Sequence, residues 1–411
     1  MMNLLGIIAE YNPFHNGHAY QLAQAKKRSQ CDAAVVIMSG HFTQRGEPAL
    51  FNKWQRAEMA LQGGADLILE LPVAYSVRSA YYFALGGVLS LAAAGVQTLA
   101  FGSECADLAS LSAIAELLAA EPISYRQLLT QFLEQGLSYP QAQQSALNAL
   151  LPKTGHLFAQ PNNLLAIHYL QIIRQYHLSM KPLAIMRQRA LHGEQLAPEN
   201  SLFASGTAIR HLLLEQNDAW RSYVPSSTET LISRALLQGY HPVTLEHFSQ
   251  PLLTLLRRDT AQSLTCYPEI REGLEHLLWR EAQNASNLSA LCHAVKSKRY
   301  TYTRLQRLLC ALLLNLTTES LQCAAIPAYL RVLGFNATGR RVLKQLKSTA
   351  ALPVITKSAS AKHILSSAGQ ALFDLDCRAT DIYHLAYSDP ELSKGRRDFY
   401  QSPVILNAAN S

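Results

Sequence analysis

The sequence predicts an α/β chain: a parallel sheet covered on both faces by helices, followed by a mostly helical C-terminal region. Three observations carry this. Short runs rich in Val, Ile and Leu alternate with helix-length stretches through the first half. After Pro225-Ser226-Ser227 strand signals thin out and leucine-rich helical stretches take over. The chain has 411 residues, 49% hydrophobic and 16% charged, which is too much for one ordinary core and unlike a disordered chain.

In order, strands are expected over 4–10, 33–39, 67–71, 96–101 and 182–186. The first, Leu4-Leu5-Gly6-Ile7-Ile8-Ala9, is an unbroken apolar run of the kind buried on both faces. Helices are expected between them, over 17–29, 53–62, 79–94, within 108–151, and over 163–176. The apolar tract over 81–101 contains Gly86, Gly87, Ser90, Gly95 and Gln97, so it reads as a buried helix and a strand, not a membrane span. In the second part helices are expected over 228–238, 252–263, 274–282, 304–316, 319–333 and 339–347, with a short α/β-like tail near 351–355. Ligands of such sheets bind beyond the carboxyl ends of the strands. Neither GxGxxG after the first strand nor GxxxxGK[ST] occurs, and Gly63-Gly64 and Gly86-Gly87 read as turns or helix contacts.

No stretch has the basic n-region of a signal peptide, so a soluble cytoplasmic protein with no membrane partner is expected. The seven cysteines, Cys31, Cys105, Cys266, Cys292, Cys310, Cys323 and Cys377, form no CxxC pair, which argues against a zinc site or disulfide framework. Net charge is +7, and residues 1–220 carry −1 while 221–411 carry +8. A basic excess confined to one part points to a polyanion, nucleic acid first, or to a solvated basic face.

The first strand is followed by Glu10-Tyr11-Asn12-Pro13-Phe14-His15-Asn16-Gly17-His18. If a helix starts at or just before Asn16, His15 and His18 flank its first turn, where unpaired N–H groups and the dipole favour an anion. Imidazoles can donate to phosphate oxygens, and Gly17 lets a nucleotide approach the backbone. Pro13 keeps Asn12 out of helical geometry. Donors placed this way suit nucleotidyl transfer, where charge builds on the α-phosphate and the departing pyrophosphate. A zinc pair prefers i,i+4 spacing with a third ligand, and none is evident, so no metal site is assigned. In Ser39-Gly40-His41-Phe42-Thr43-Gln44-Arg45-Gly46-Glu47, Gln44 and Arg45, with Lys53 and Arg56 beyond, fall at the same sheet edge; with the family resemblance given next, they are assigned to pyrophosphate, acetate or the tRNA backbone.

His15-Asn16-Gly17-His18 resembles the HxGH signature of nucleotidyltransferases and class I aminoacyl-tRNA synthetases, which implies a Rossmann-like parallel sheet of the HxGH nucleotidyltransferase type. Phe203-Ala204-Ser205-Gly206-Thr207-Ala208-Ile209-Arg210 resembles that superfamily's second signature, ISSTxIR, from which Gly206 departs. Ser205 and Thr207 would cap a helix and, with Arg210, meet phosphate. GIIAEYNPFHNGH, MSGHFTQRGEPALFNKW, DLILELP, FGSE and PNN occur in that order, and together they resemble the bacterial tRNA(Met) cytidine acetate ligase family, strongly over the N-terminal half and weakly beyond.

The resemblance implies an enzyme that uses ATP and acetate to acetylate N4 of the wobble cytidine of elongator tRNA(Met). Acetate is an anion and a poor electrophile; activation as acetyl-adenylate releases pyrophosphate, and attack by the cytosine amine then releases AMP. By resemblance the segment from Ile7, Ile8 and Ala9 through Ala19 and Tyr20 holds ATP, with His15 and His18 catalytic on the phosphates; Gly102, Asn162 and Arg187 complete the site. Asn163 is the neighbour most easily confused with Asn162. Beyond Arg187 the family shows a Tyr-His pair where this chain has Ala190-Leu191-His192. Mg²⁺ is expected with ATP.

Residues 1–224 are thus expected to form the ATP-binding catalytic domain and 225–411 a basic, mainly helical tRNA-binding domain. Its candidate contacts are Arg257-Arg258, Lys296 with Lys298 and Arg299, Arg340-Arg341 with Lys344 and Lys347, and Lys394 with Arg396-Arg397. Tyr300, Tyr302 and Phe335 lie among them to stack on unpaired bases. No obligate protein partner is evident. Two rivals stand: a small-molecule adenylyltransferase acting on a phosphorylated metabolite, which needs no large basic domain, and a non-catalytic RNA-binding protein.

Overall fold

The computed structural model describes residues 1–187, 202–271, 273–297 and 300–407. Five strands come first: β1 (Leu4–Ala9), β2 (Ala33–Ser39), β3 (Leu67–Leu71), β4 (Thr98–Ser103) and β5 (Lys181–Met186). They lie in the order β5-β4-β1-β2-β3, all parallel. Leu4, Ala33, Val35, Ile37 and Leu69 face one core; Leu5, Ile7, Ala34, Val36 and Ile68 face the other. Both faces are dry, so the strands read as continuous apolar runs without alternation.

Helices α1 (Asn16–Ser29) and α2 (Lys53–Gln62) cover one face with Leu22, Ala25, Ala57 and Leu61. On the other lie α3 (Ala80–Ala93) and α4 (Pro161–Gln175). The Gly86-Gly87 pair is a close contact of the expected kind: a Cβ on Gly87 would stand 2.7 Å from Ile8 Cδ1, and one on Gly86 2.4 Å from the Tyr75 ring. A fifth helix, α5 (Gly206–Leu214), joins the α1 face through Ala208, Ile209 and Leu212. Among the described residues no helix is long and apolar enough to cross a membrane.

The C-terminal part is mainly helical, with α6 (Tyr302–Leu313), α7 (Ala337–Thr349) and α8 (Ser367–His384) among its helices. It also completes the sheet. β6 (Leu330–Phe335) pairs antiparallel with β3, and β7 (Val354–Ile355) and β8 (Val404–Ile405) run parallel to β6. The sheet therefore crosses the 224/225 line. The helix expected over 319–333 is corrected: a 3₁₀ turn, Ser320–Ala324, stops ahead of Pro327, and β6 follows. Proline lacks the donor a helix needs and disfavours helical geometry at Ile326, while the open edge of β3 offers a ladder of unpaired groups. The helix expected over 252–263 is two, Ser249–Arg258 and Ala261–Leu264, the second capped by Thr260.

Charge fastens the C-terminal segment to the sheet. Lys53 Nζ lies 2.8 Å from Glu70 Oε1, 2.8 Å from Asp398 Oδ1 and 3.1 Å from Thr380 Oγ1. Arg331 of β6 meets the same two carboxylates, at 3.2 Å (Glu70) and 2.6 Å (Asp398). All four charged side chains are buried. Lys53 and Arg56, assigned above to a ligand, are corrected here: neither cation reaches solvent. The Arg56 guanidinium donates to the carbonyls of Glu10, Ser39, Gly40 and Phe51, binding the ends of β1 and β2 together.

Candidate active site

β1, β2, β4 and β5 end at one edge of the sheet, and an open cleft there is lined by residues after β1 and at the ends of β4 and β5, with Phe203 and Ala204 ahead of α5. The loop from β1 turns through a cis Asn12–Pro13 peptide and is pinned on both sides. Tyr11 and Phe14 are buried edge to face, with ring centroids 4.9 Å apart, and the Asn12 side chain accepts from Leu50 N at 2.8 Å.

His15 is the N-cap of α1. Its Nδ1 accepts from Gly17 N at 3.0 Å, while His18 Nδ1 accepts from His15 N at 3.3 Å. The two rings stack with centroids 3.7 Å apart. A Cβ on residue 17 would lie 2.9 Å from His15 Cε1, so this position is glycine because the capping ring folds over it. Burial, then the charges of Arg187 and Arg210, push the His15 pKa down to about 3; burial, then His15 and Arg187, push His18 well below its ordinary value. Both imidazoles are therefore neutral near pH 7. With Nδ1 accepting, the ring proton of His15 sits on Nε2, and the His18 ring is also hydrogen-bonded to the Pro13 backbone.

α5 starts against this pair. A Cβ on Gly206 would stand 3.8 Å from His15 Nε2 and 3.4 Å from Arg210 Nη1. Ser205 caps α5, accepting from Ala208 N at 3.1 Å. Thr207 Oγ1 takes Arg210 Nη2 at 3.2 Å and Arg45 Nη1 at 3.4 Å. Two helix N-termini and two arginines thus converge beside His15, an arrangement that favours a polyanion. The β2 loop closes this side: Gln44 N donates to the Glu10 carboxylate at 2.6 Å, and Glu47 lies 3.8 Å from Arg210.

Across the cleft, Gly102 at the end of β4 faces Arg187, whose Cγ would be 3.4 Å from a Cβ there. Arg187 Nη1 donates to Asn162 Oδ1 at 3.0 Å. Asn162 in turn donates to Glu104 at 2.6 Å. Asn163 is fully buried and does something else: its Oδ1 accepts from Ser103 Oγ and Glu104 N, locking α4 to the end of β4.

The structure thus gathers His15, Gly17, His18, Tyr20, Gly102 and Arg187 in one cleft, with Asn162, Ser205, Thr207, Arg210, Arg45 and Gln44 around it. Ile7, Tyr11 and Phe14 point into the core, Ile8 packs on Gly87, and Ala9 and Ala19 pack partly buried against the same core. Asn16 ties the carbonyls of Leu202 and Ser222. Sequence reasoning missed Gln21, Ile185, Met186, Phe203 and Ala204, which also line the cleft. Only the positions of Phe203 and Ala204, next to Ser205, carried a signal. Among the described residues no three His, Cys, Asp or Glu side chains form a metal site.

The basic candidates are dispersed. Arg257 bonds the carbonyls of Ala282 and Ala285, Arg258 pairs with Asp259, Lys394 with Glu391, and Arg397 is buried. Tyr300 is buried, whereas Tyr302 is 45% exposed. Lys296 is exposed; Lys298, Arg299 and Ala190-Leu191-His192 lie outside the described residues. Arg340, Arg341 and Lys344 are exposed on α7, but Asn336 at its start bonds Asp66, and Gln345 accepts from Met2 N. Those partners mark the opposite edge of the sheet, roughly 20 Å away at about 3.3 Å per strand residue.

Buried neutral histidines make stability depend on pH. Burial first, then neighbouring cations, lowers the pKa of His41, and burial lowers His384 to about 4. The unfolded chain takes up these protons near pH 6.5, and the folded chain does so only far below. Stability is therefore full above pH 7 and falls as pH drops from 6.5, by up to about 1.4 kcal/mol per pH unit for each of His15, His18, His41 and His384. Urea denaturation at pH 7.5 and 5.5 should show this fall, and His41→Phe should reduce it; equal midpoints at the two pH values would contradict it.

Comparison with known proteins agrees with this geometry. A family model described as HIGH Nucleotidyl Transferase matches residues 2–398. The chain is 40% identical over 411 residues to the tRNA(Met) cytidine acetate ligase of Caldanaerobacter subterraneus subsp. tengcongensis, covering 98% of this chain and 100% of that one. It is 39% identical over 397 residues to the protein of that name from Thermoanaerobacter sp. strain X514, covering 95% and 97%. Among solved structures, Thermotoga maritima TmcAL bound with alpha-thio ATP is 31% identical with a TM-score of 0.93, covering 99% of this chain and 100% of that one.

Proposed function

The chain belongs to the HIGH nucleotidyl transferase family and, within it, to the tRNA(Met) cytidine acetate ligases; from this premise of an ATP-using ligase we propose that it activates acetate as acetyl-adenylate and acetylates N4 of the wobble cytidine of elongator tRNA(Met). The observation that carries the reading is the stacked, neutral His15–His18 pair, with the His15 Nε2 donor at the junction of two helix N-termini.

In the first step an acetate oxygen attacks the α-phosphorus and the bond to the β-phosphate breaks. His15 and His18 donate to the α-phosphate oxygens, and the start of α5, with Thr207, Arg210 and Arg45, receives the departing pyrophosphate. Neutral imidazoles suit this role, because they donate without giving up a proton. Arg187, held by Asn162, and the bare edge at Gly102 accommodate the rest of the nucleotide. Mg²⁺ would arrive as the ATP complex, carried by phosphate oxygens and water. In the second step the cytidine N4 lone pair attacks the acyl carbon, AMP departs with the bonding pair, and the amine loses a proton. The basic excess of the C-terminal part supports an RNA substrate.

The test combines purified protein, ATP, labelled acetate and bulk tRNA, followed by digestion of the RNA. The expected product is N4-acetylcytidine, with acetate-dependent ATP–pyrophosphate exchange in the absence of RNA. Exchange driven by a phosphorylated metabolite but not by acetate would overturn the reading, as would tRNA binding with no exchange.

A further inference from the structure

We propose that the RNA loop carrying the target cytidine docks at the mouth of the cleft, on a platform made by Tyr302, Arg45 and Lys296, and not on the basic face of α7. This rests on the ligase reading and names the surface that serves it.

The β2 loop is a shared wall. Its inner side meets the start of α5 beside the cleft, through Arg45, on Thr207, and Glu47, near Arg210. Its outer side is pressed onto α6. Gly46, at φ +77°, lies so close that a Cβ would stand 2.1 Å from Arg307 N. Cys310 Sγ donates to Gly46 O at 3.1 Å, and Gln306 Nε2 to Glu47 at 3.1 Å. No side chain fits between loop and helix, so α6 is fixed against the catalytic edge.

Tyr302 opens α6 one turn before Gln306 and on the same face, which brings its half-exposed ring to the Glu47 side of the wall. Arg45, on the β2 loop that packs against α6, is exposed, and Lys296 is exposed just ahead of α6. Arg304 and Arg307 lie off this face and are engaged elsewhere, both on the carboxylate of Glu269, at 3.8 and 3.4 Å, with Arg304 also donating to the Glu269 carbonyl at 2.8 Å. An unpaired RNA loop presents splayed bases and a phosphate chain; proteins meet the first with aromatic faces and the second with cations. The reacting amine must enter the cleft, so the adjoining nucleotides must lie at its mouth, where this platform is. α7 has the cations, but at the far edge of the sheet.

The experiment measures tRNA binding by the full-length enzyme across a salt series, a readout independent of turnover. Tyr302→Ala should weaken binding about tenfold with an unchanged salt slope, as expected for a lost stack, and Tyr302→Phe should restore it. Arg45→Gln with Lys296→Gln should lower the salt slope by about two. Arg340→Glu with Arg341→Glu should change affinity less than about twofold, because α7 faces away. Unaltered binding by Tyr302→Ala, or a loss from the α7 variant as large as that from Tyr302→Ala, would overturn the platform. Failure of the unsubstituted enzyme to make N4-acetylcytidine would strike the ligase reading instead, leaving the binding comparison to decide the surface.

Discussion

Replacing His15 with asparagine should lower acetate-dependent ATP–pyrophosphate exchange by about 100- to 1,000-fold while leaving thermal stability close to that of the unsubstituted enzyme. His15 does two things with two nitrogens. Its Nδ1 caps α1 by accepting from Gly17 N, and its Nε2 faces the start of α5. Asparagine is a good cap and can accept the same backbone N–H, but it is too short to place a donor where Nε2 stands. His15→Ala removes both functions and should add about 1 kcal/mol of destabilisation to the same loss of activity. Activity and melting temperature measured on both variants separate the two roles. An asparagine variant that keeps full exchange would show that the imidazole is only a cap.

The largest expected loss of stability comes from Lys53→Met. The substitution keeps the volume of the stem but removes an ammonium that is fully buried between Glu70 and Asp398. Two carboxylates would then share one cation, Arg331. Burial works against ionisation of Asp398, yet Arg331 and Lys53 outweigh it and hold its carboxyl well below the ordinary carboxylate range. Removing one partner from a buried ion network costs about 3–5 kcal/mol, because the remaining charges lose compensation without regaining water. Denaturant unfolding at pH 7.5 should show that loss. A midpoint unchanged by the substitution would mean that the C-terminal segment is held by packing alone. The effect on activity should be secondary, because Lys53 lies on α2 beside Arg56, which fastens the ends of β1 and β2.

These two residues also show where the sequence could and could not be read. The parallel half of the sheet was legible because its strands are dry on both faces, and short continuous Val, Ile and Leu runs between helices are what such burial demands. The histidine pair was legible because its spacing and its place after β1 match a signature whose chemistry needs a helix start. Lys53 and Arg56 were misread because sequence displays charge and conceals burial. Lys53 is neutralised by Glu70 and by Asp398, the latter 345 positions away in the chain, and no local pattern announces that second pairing. β6 was missed for a related reason. Its leucines continue a leucine-rich stretch, and only the open edge of β3, far off in sequence, makes them a strand. Arg340, Arg341 and Lys344 were named as tRNA contacts from their charge, but amphipathic periodicity says nothing about which end of the sheet a helix lies against. Phe203 and Ala204 in the cleft wall carried no chemical signature of their own.

One contact is central to the proposed mechanism: the Nε2 donor of His15, where α1 meets α5, with His18 stacked on its ring, is expected to hold the α-phosphate of ATP. The most direct measurement is a crystal structure of this chain with a non-hydrolysable ATP analogue. The expected density places an α-phosphate oxygen about 3 Å from His15 Nε2 or His18 Nε2, with the outer phosphates toward Thr207 and Arg210. A nucleotide bound elsewhere, or one whose phosphates leave both imidazoles unengaged, would contradict it.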